Sequence, residues 1–481
     1  MTDKPIILLN IDSLMAQSLE IAIQTGRAPA LEFLIEKGTY YPNVVSAFPT
    51  MSVTIDSTVL TGTYANKHKI SALNWYDVTK KEMINYGTGF FETYRTGMKK
   101  TIHNMLYELN NTHLGNEVTT IFEELAHRGI PSASINSFVY RGNTPTTLKV
   151  PKLLKTFTYY KDGEWTTEAP PIISLGAFSK IDPRNKTFQI AAGNYRFTAR
   201  ELKKLIRENK IPMFTFCVFQ DLDLRMHIKG TMDLKGIQKI DKEIGKMFNL
   251  FSSWEAAVEK YIWIVMGDNG HSPLRHKRKD AHIKLTDLLQ PYRIAKINRP
   301  VRNKDQIVIS VNQRMAYVYV IDQKLAMSDV AEKLKKDPRI DVIAWSEDEW
   351  IRVESGSFSN ALHFRKYDET VDIYGQKWKV RGNLDILDVT LNDNNELMFG
   401  NYPDAFARLY GAIHSQAGRF FVVNAKPGYE FKAQLTPSHP SAAHGSLHKQ
   451  ESLVPLIVTG TNEPLKHERL VDLKEFILKC I

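Results

Sequence analysis

The chain has 481 residues, 43% hydrophobic and 24% charged, a balance that excludes disordered and fibrous classes and leaves room for a large core. No apolar run reaches the roughly 18–20 residues needed to cross a bilayer. The net charge of +10 comes from 63 basic and 53 acidic residues mixed along the chain, not from the basic stripe of a nucleic-acid binder.

The N-terminal Met-Thr-Asp-Lys-Pro enters PIILLNID without the make-up of a signal peptide. Cys217 and Cys480 stand too far apart in sequence for a disulfide framework or a Cys-based metal site. The expectation is a soluble cytoplasmic protein with no membrane and no nucleic-acid polymer as partner.

IILLNID (6–12) reads as a buried strand. A helix is predicted over 29–38, with Pro29 at its first position and Gly38 just past its end. Over 48–70, the hydroxyls of Thr50, Ser52 and Thr54 precede an apolar stretch that ends at Gly62. EVTTIFEELAHRG (117–129) repeats the helical pattern, and SASIN (132–136) is the next strand. FTFCVF (214–219) and YIWIVMGD (261–268) are continuous apolar runs of the kind found in central parallel strands, with helical spacing over 236–258 between them.

This alternation predicts a doubly wound α/β fold with a mostly parallel sheet. After about residue 290, QIVISV, AYVYVI, VAEKLKK, IDVIAW and EWIRVE read as strand, strand, helix, strand, strand. The expected organisation is a core over 1–292 and 413–481 interrupted by an inserted α+β cap over 293–412. RFFVVNA (419–425) is expected to return to the main sheet.

Ligands of open α/β sheets bind at the carboxyl ends of the strands. There the sequence delivers Asp12, then Asp221, Asp223 and His227, then Asp268, Asn269, Gly270 and His271. A late segment, SHPSAAHGSLH, adds His439, His444 and His448. Each has an ordinary structural use as a helix cap or a turn residue. Together, carboxylates and imidazoles are the ligand types for Zn²⁺ and related cations. DKEIGKM lacks the outer residues of a P-loop, YGTGFFE lacks a third glycine, and neither HExxH nor GxSxG occurs. A hydroxyl at a helix N-terminus, as at 50–54, caps the helix or faces a bound phosphate.

With these residues in order, the chain resembles the alkaline phosphatase superfamily, most closely its type I phosphodiesterase/nucleotide pyrophosphatase branch. The matching stretches are Asp12, Pro49-Thr50-Met51-Ser52, Thr61-Gly62-Thr63-Tyr64 with His68 and Ile70, Asp223 to His227, Asp268-Asn269-Gly270, and His444-Gly445. The resemblance implies two divalent metal ions, zinc foremost. Asp223, His227 and His444 would hold one, and Asp12, Ser52 and Asp268 the other. It implies that Ser52 is the nucleophile, forming a phosphoseryl intermediate on a small phosphorylated substrate such as a nucleotide or phosphodiester.

Two positions depart from the pattern. Asn269 stands where the branch has a histidine ligand, which tilts the Asp12/Asp268 site toward Mn²⁺ or Mg²⁺; His271 is the alternative donor. The substrate-contacting asparagine of the branch falls on Leu73, so Asn74 is the substrate-binding candidate. The same scaffold also carries phosphomonoesterases and phosphonate hydrolases, and a relative that had lost a ligand would only bind.

Overall fold

Side chains of the strand Ile6–Ile11 alternate between two apolar clusters, as the period of two requires. Ile7, Leu9 and Ile11 face helices through Leu19, Leu31, Leu34, Leu202, Ile240 and Ile244. Ile6 and Leu8 face the other side, against Val53, Ile55, Val59, Ile121 and Ile477. Being buried on both faces, the strand must be apolar throughout, and so must its neighbours Phe214–Phe219 and Ile262–Gly267.

The computed structural model describes residues 4–88, 92–94, 97–160, 163–185, 193–297 and 299–481. YGTGFFE runs partly outside these residues.

The main sheet has seven strands, in the order Gly38–Val45, Leu453–Thr459, Ile262–Gly267, Ile6–Ile11, Phe214–Phe219, Ser132–Ile135 and Ile172–Ser174. The five from Ile262–Gly267 to Ile172–Ser174 run parallel. Leu453–Thr459 is antiparallel to both of its neighbours. The expected mixed α/β architecture with a mostly parallel sheet is therefore present. Register sets Ile11 opposite both Gly267 and Phe219, so three strands end level and deliver their next residues to one place. Among the described residues, no helix is long and apolar enough to cross a membrane.

A second seven-stranded sheet is antiparallel throughout, ordered Ile307–Asn312, Met315–Val320, Phe420–Ala425, Ile340–Glu347, Trp350–Glu354, Leu362–Val371 and Lys377–Gly382. Tyr317, Tyr319, Val342 and Val422 from this sheet share one apolar cluster with Ile6 and Leu8.

One strand corrects the sequence reading. Phe420–Ala425 does not return to the main sheet, although it lies past residue 412, where the insertion was expected to end. It pairs with Met315–Val320 and Ile340–Glu347 at the centre of the second sheet. A wholly apolar run marks a central strand without saying of which sheet. The strand that does return is Leu453–Thr459.

Candidate active site and metal centre

Asp12 and Asp268 follow two of the level strands directly, and the helix Asp221–Lys229 follows the third. Asp223 and His227, four apart on that helix, share a face. His444 follows the two-residue strand Ala442–Ala443, which pairs with Ser272–Pro273 just beyond His271. Asp223, His227, His271 and His444 thus converge, with their ligand atoms all within 4.8 Å of one another. Asp223 Oδ1 lies 3.3 Å from His227 Nε2, 3.4 Å from His271 Nε2 and 3.3 Å from His444 Nε2.

The surroundings select which ring nitrogens face inward. His227 Nδ1 donates to the Ala442 carbonyl at 2.8 Å, and His444 Nδ1 to the Thr50 carbonyl at 2.5 Å. A carbonyl accepts only from N–H, so each ring carries a proton on Nδ1 and turns its Nε2 toward the cluster, the orientation a metal ligand needs. Gly445 N donates to Thr50 Oγ1 at 2.7 Å. A Cβ at Gly445, whose φ is +112°, would meet the Asn312 carbonyl at 2.4 Å; the His-Gly pair needs its glycine for this close approach.

Beside this cluster lies a second group of oxygens. Asp268 Oδ1 accepts from the N–H groups of Ser13 and Asn269, at 2.8 and 2.7 Å. Asp268 Oδ2 and Asn269 Oδ1 are buried and form no hydrogen bond. Ser52, the first residue of the helix Ser52–Thr61, stands beside Asp268, and its hydroxyl draws that carboxyl's pKa down against the larger upward push of burial.

Burial raises the Asp12 carboxyl well above its ordinary range, and the carboxylates of Asp268, Asp223 and Asp56 add to it. Acidic groups crowded in this way are relieved by a cation. The Asp223 carboxylate and its three imidazoles fit a divalent ion, and the two unpartnered buried oxygens on Asp268 and Asn269 are of the donor type that a cation accepts.

His271 does not join Asp12 and Asp268 as the alternative second-site donor. It sits with Asp223, His227 and His444, and Asn269 stays on the oxygen side. Asn74 is not brought to either group. Its side chain donates to Glu92 at 3.0 Å and its backbone N–H to Asn312 at 2.9 Å. Leu73 lines a small cavity with Met51, Gln313 and His439.

His68 is also structural. Its ring bonds Thr58 Oγ1 at 3.1 Å and accepts from Ile70 N–H at 3.1 Å. His439 pairs with Glu430 at 2.7 Å, and His448 accepts from Gln450 N–H. Of the late histidines, only His444 is among the converging ligands.

Two contributors escape sequence reading. Ser13 Oγ lies 3.2 Å from Asp12 Oδ1, 3.1 Å from Asp223 Oδ1 and 3.2 Å from Asn269 Nδ2, linking the two groups. Gln313, in the turn of the first hairpin of the second sheet, reaches His444 Nε2 at 3.0 Å and His227 Nε2 at 3.4 Å. The VNQRM turn was visible between two strand patterns, but nothing local shows that it reaches the first sheet.

Residues 6–386 match the family model "Type I phosphodiesterase / nucleotide pyrophosphatase". The chain belongs to this family. The type I phosphodiesterases are phosphoric ester hydrolases, and that class applies to the protein. No curated protein matches the sequence. Among solved structures, murine ectonucleotide pyrophosphatase/phosphodiesterase 5 is similar at TM-score 0.59 and 12% identity, covering 99% of this chain and 94% of that one. An inactive variant of the murine protein, solved in complex with AMP, has TM-score 0.58 and the same identity and coverage. Phosphonoacetate hydrolase from Sinorhizobium meliloti 1021, in complex with phosphonoacetate, is similar at TM-score 0.58 and 14% identity, covering 99% of this chain and 96% of that one. At such identities the likeness is one of fold.

Proposed function

We propose that this type I phosphodiesterase is a metal-dependent phosphodiesterase or nucleotide pyrophosphatase that acts through a phosphoseryl intermediate on Ser52. The observation that carries this reading is the placement of Ser52 at a helix N-terminus beside Asp268, with Asp12 and the Asp223 cluster at the adjoining strand ends.

The other two hydroxyls of the segment are committed or enclosed. Thr50 accepts from Gly445 N–H, and Thr54 is fully buried. The first N–H groups of the helix Ser52–Thr61 have no partner within the helix and favour a phosphate there.

Asp223, His227 and His444 would hold one divalent ion, zinc by its imidazoles. Asp12, Asp268, Asn269 and Ser52 would hold a second, Mn²⁺ or Mg²⁺ by its all-oxygen donors. When bound, the ions would supply positive charge beside the phosphoryl group as it is displaced in line. Ser52 Oγ bonds to phosphorus as the ester P–O bond breaks, its proton passing by way of solvent to the leaving oxygen. Water then displaces Ser52, one of its protons restoring the Ser52 hydroxyl and its oxygen leaving on the phosphoryl product.

A cavity of about 470 Å³ includes Glu92 and Thr436, which also line the small cavity beside Met51. Lys80, Lys81, Lys296 and Arg299 line it together with apolar residues such as Ile294 and Val308. This composition suits the anionic far part of a nucleotide-type substrate, and the AMP complex of the murine relative supports the same class. Phosphonate hydrolysis is the second reading, favoured by the Sinorhizobium neighbour.

Turnover of bis-p-nitrophenyl phosphate against p-nitrophenyl phosphate, with Zn²⁺ and Mn²⁺ supplied, tests the proposal. The diester should be preferred, and Ser52→Ala should lower turnover by at least about a thousand-fold. Phosphorylation of Ser52 should be visible by mass spectrometry after acid quench. Substantial turnover by Ser52→Ala, or none by the metal-loaded wild type, would refute it.

A further inference from the structure

We infer that His271 is a fourth protein ligand of the metal at Asp223, His227 and His444, so that protein groups fill that coordination shell. A phosphoryl oxygen would then meet a cation only on the Asp12–Asp268 side. This inference rests on the metal-dependent reading above and adds to it which of the two sites is open.

Three observations carry it. The first is geometric. A tetrahedral site with bonds of roughly 2.0–2.1 Å has edges of roughly 3.3–3.4 Å. The three distances from Asp223 Oδ1 to the imidazole Nε2 atoms are 3.3, 3.4 and 3.3 Å. Along these three edges His271 stands as the other two histidines do, and the imidazole–imidazole separations, within 4.8 Å, would draw in around an ion.

The second is hydrogen bonding. The His271 side chain is 0% exposed; its Nε2 has only the Asp223 carboxylate within reach, at a long 3.4 Å, and its Nδ1 forms no hydrogen bond. A buried imidazole held by so little protein contact costs free energy with small structural return. Ligation by Nε2 supplies the return. His271 therefore differs from His68, whose two ring nitrogens are both satisfied by protein groups.

The third is the departure at Asn269. Its side chain donates to Ser13 Oγ at 3.2 Å and to the Gly270 carbonyl at 3.2 Å, leaving Oδ1 on the oxygen side. The oxygen side thus has no imidazole of its own, and the nearest one along this loop, two residues on, joins the other group. Gly270 makes the turn between them, and a Cβ there would strike the Gln450 carbonyl at 2.4 Å. One site gains a fourth protein donor of borderline softness, while the other keeps only oxygen. Structural zinc sites have four protein ligands, whereas catalytic ones keep a position open.

The test uses the full chain loaded with one equivalent of Zn²⁺ and freed of excess metal. X-ray absorption at the zinc edge should count three imidazoles in the wild type and two in His271→Ala, with zinc affinity lowered at least about 10–100-fold in chelator competition. Inorganic phosphate, added to protein with Co²⁺ at this site, should leave the cobalt visible spectrum unchanged. Should His271→Ala fail to fold, His271→Gln gives the same imidazole count. Two imidazoles in the wild type, or a cobalt spectrum shifted by phosphate, would overturn the inference while leaving the metal-dependent reading intact. A wild type that binds no divalent metal would overturn both.

Discussion

Ser13 has a backbone φ of +64°, a left-handed conformation that a non-glycine residue adopts at a cost of roughly 1 kcal/mol. Its hydroxyl has one proton, placed between the oxygens of Asp12 and Asp223, while its oxygen accepts from Asn269. The strain is tolerated because that hydroxyl holds three metal-site side chains in register. Ser13→Gly relieves the backbone and removes the link. Metal affinity should fall about tenfold, while stability in chelator should change by less than about 1 kcal/mol, relief of strain offsetting lost hydrogen bonds. Metal competition and urea unfolding measure the two. Unchanged affinity would make Ser13 a backbone accident. Asp12, Asp223, His227 and Asp268 could be proposed from sequence because apolar runs announce strand ends, whereas His444 was singled out from three late histidines only by the family resemblance. His271 and Ser13 were not assignable, because their roles depend on how a loop turns at Gly270 and which way a left-handed residue aims its side chain.

Helices can also be anchored from a distance in sequence. The helix Pro29–Glu36 has its proline where sequence expects it, but no local side chain caps it. Its first N–H groups, on Ala30 and Leu31, donate to Asp241 Oδ1 from the helix Leu234–Phe248 at 3.0 and 2.9 Å. Burial pushes the Asp241 carboxyl up to about 6 despite these bonds. The folded state therefore holds a proton more tightly than the unfolded one, whose carboxyl titrates near 4. This group's contribution is full below about pH 4 and is lost as pH rises through 6. Asp241→Asn keeps an accepting oxygen and removes the buried charge. The variant should lose that part of the pH dependence and gain stability above pH 6, read by denaturation at pH 4, 6 and 8. A profile parallel to wild type would refute the assignment. Local pattern located Pro29 and left out the cap, which comes from about two hundred residues away. The strand Leu453–Thr459 shows a related limit. Pro455 argues against a central strand, since it cannot donate to a ladder. Here the pairing with Gly38–Val45 breaks register between Tyr41 and Val44, opposite that proline, and the bulge absorbs the missing donor.

At the scale of the whole molecule, the two sheets meet where the metal ligands do, and a buried ion pair fastens them. Arg314, in the turn of the second sheet's first hairpin, pairs with Glu451, which lies just before the returning strand of the main sheet; both are fully buried. Arg314 also donates to the carbonyls of Tyr429 and Ala425 at 3.0 and 2.9 Å, and its backbone N–H to the His444 carbonyl at 3.0 Å. Glu451 accepts from Ser446 N–H at 2.6 Å, and its carbonyl accepts from Gly270 N–H at 2.8 Å. The pair thereby fixes both late ligand loops, one bearing His271 and the other His444. Burial lowers the Arg314 guanidinium to about 9, which still leaves it charged at neutral pH. Removing one partner strands that charge, so Glu451→Gln should cost about 3–5 kcal/mol, whereas Arg314→Met with Glu451→Leu should recover most of the loss. A double-mutant cycle by urea denaturation measures the coupling, and zinc affinity of the folded fraction reports on the His444 loop. If the pair fastens the sheets at the site, the single variants should lose zinc affinity together with stability. The double variant should regain stability further than affinity, because apolar packing restores the core without restoring the hydrogen bonds that aim the ligand loops. Additive costs under about 1 kcal/mol would show that the apolar cluster alone holds the second sheet in place.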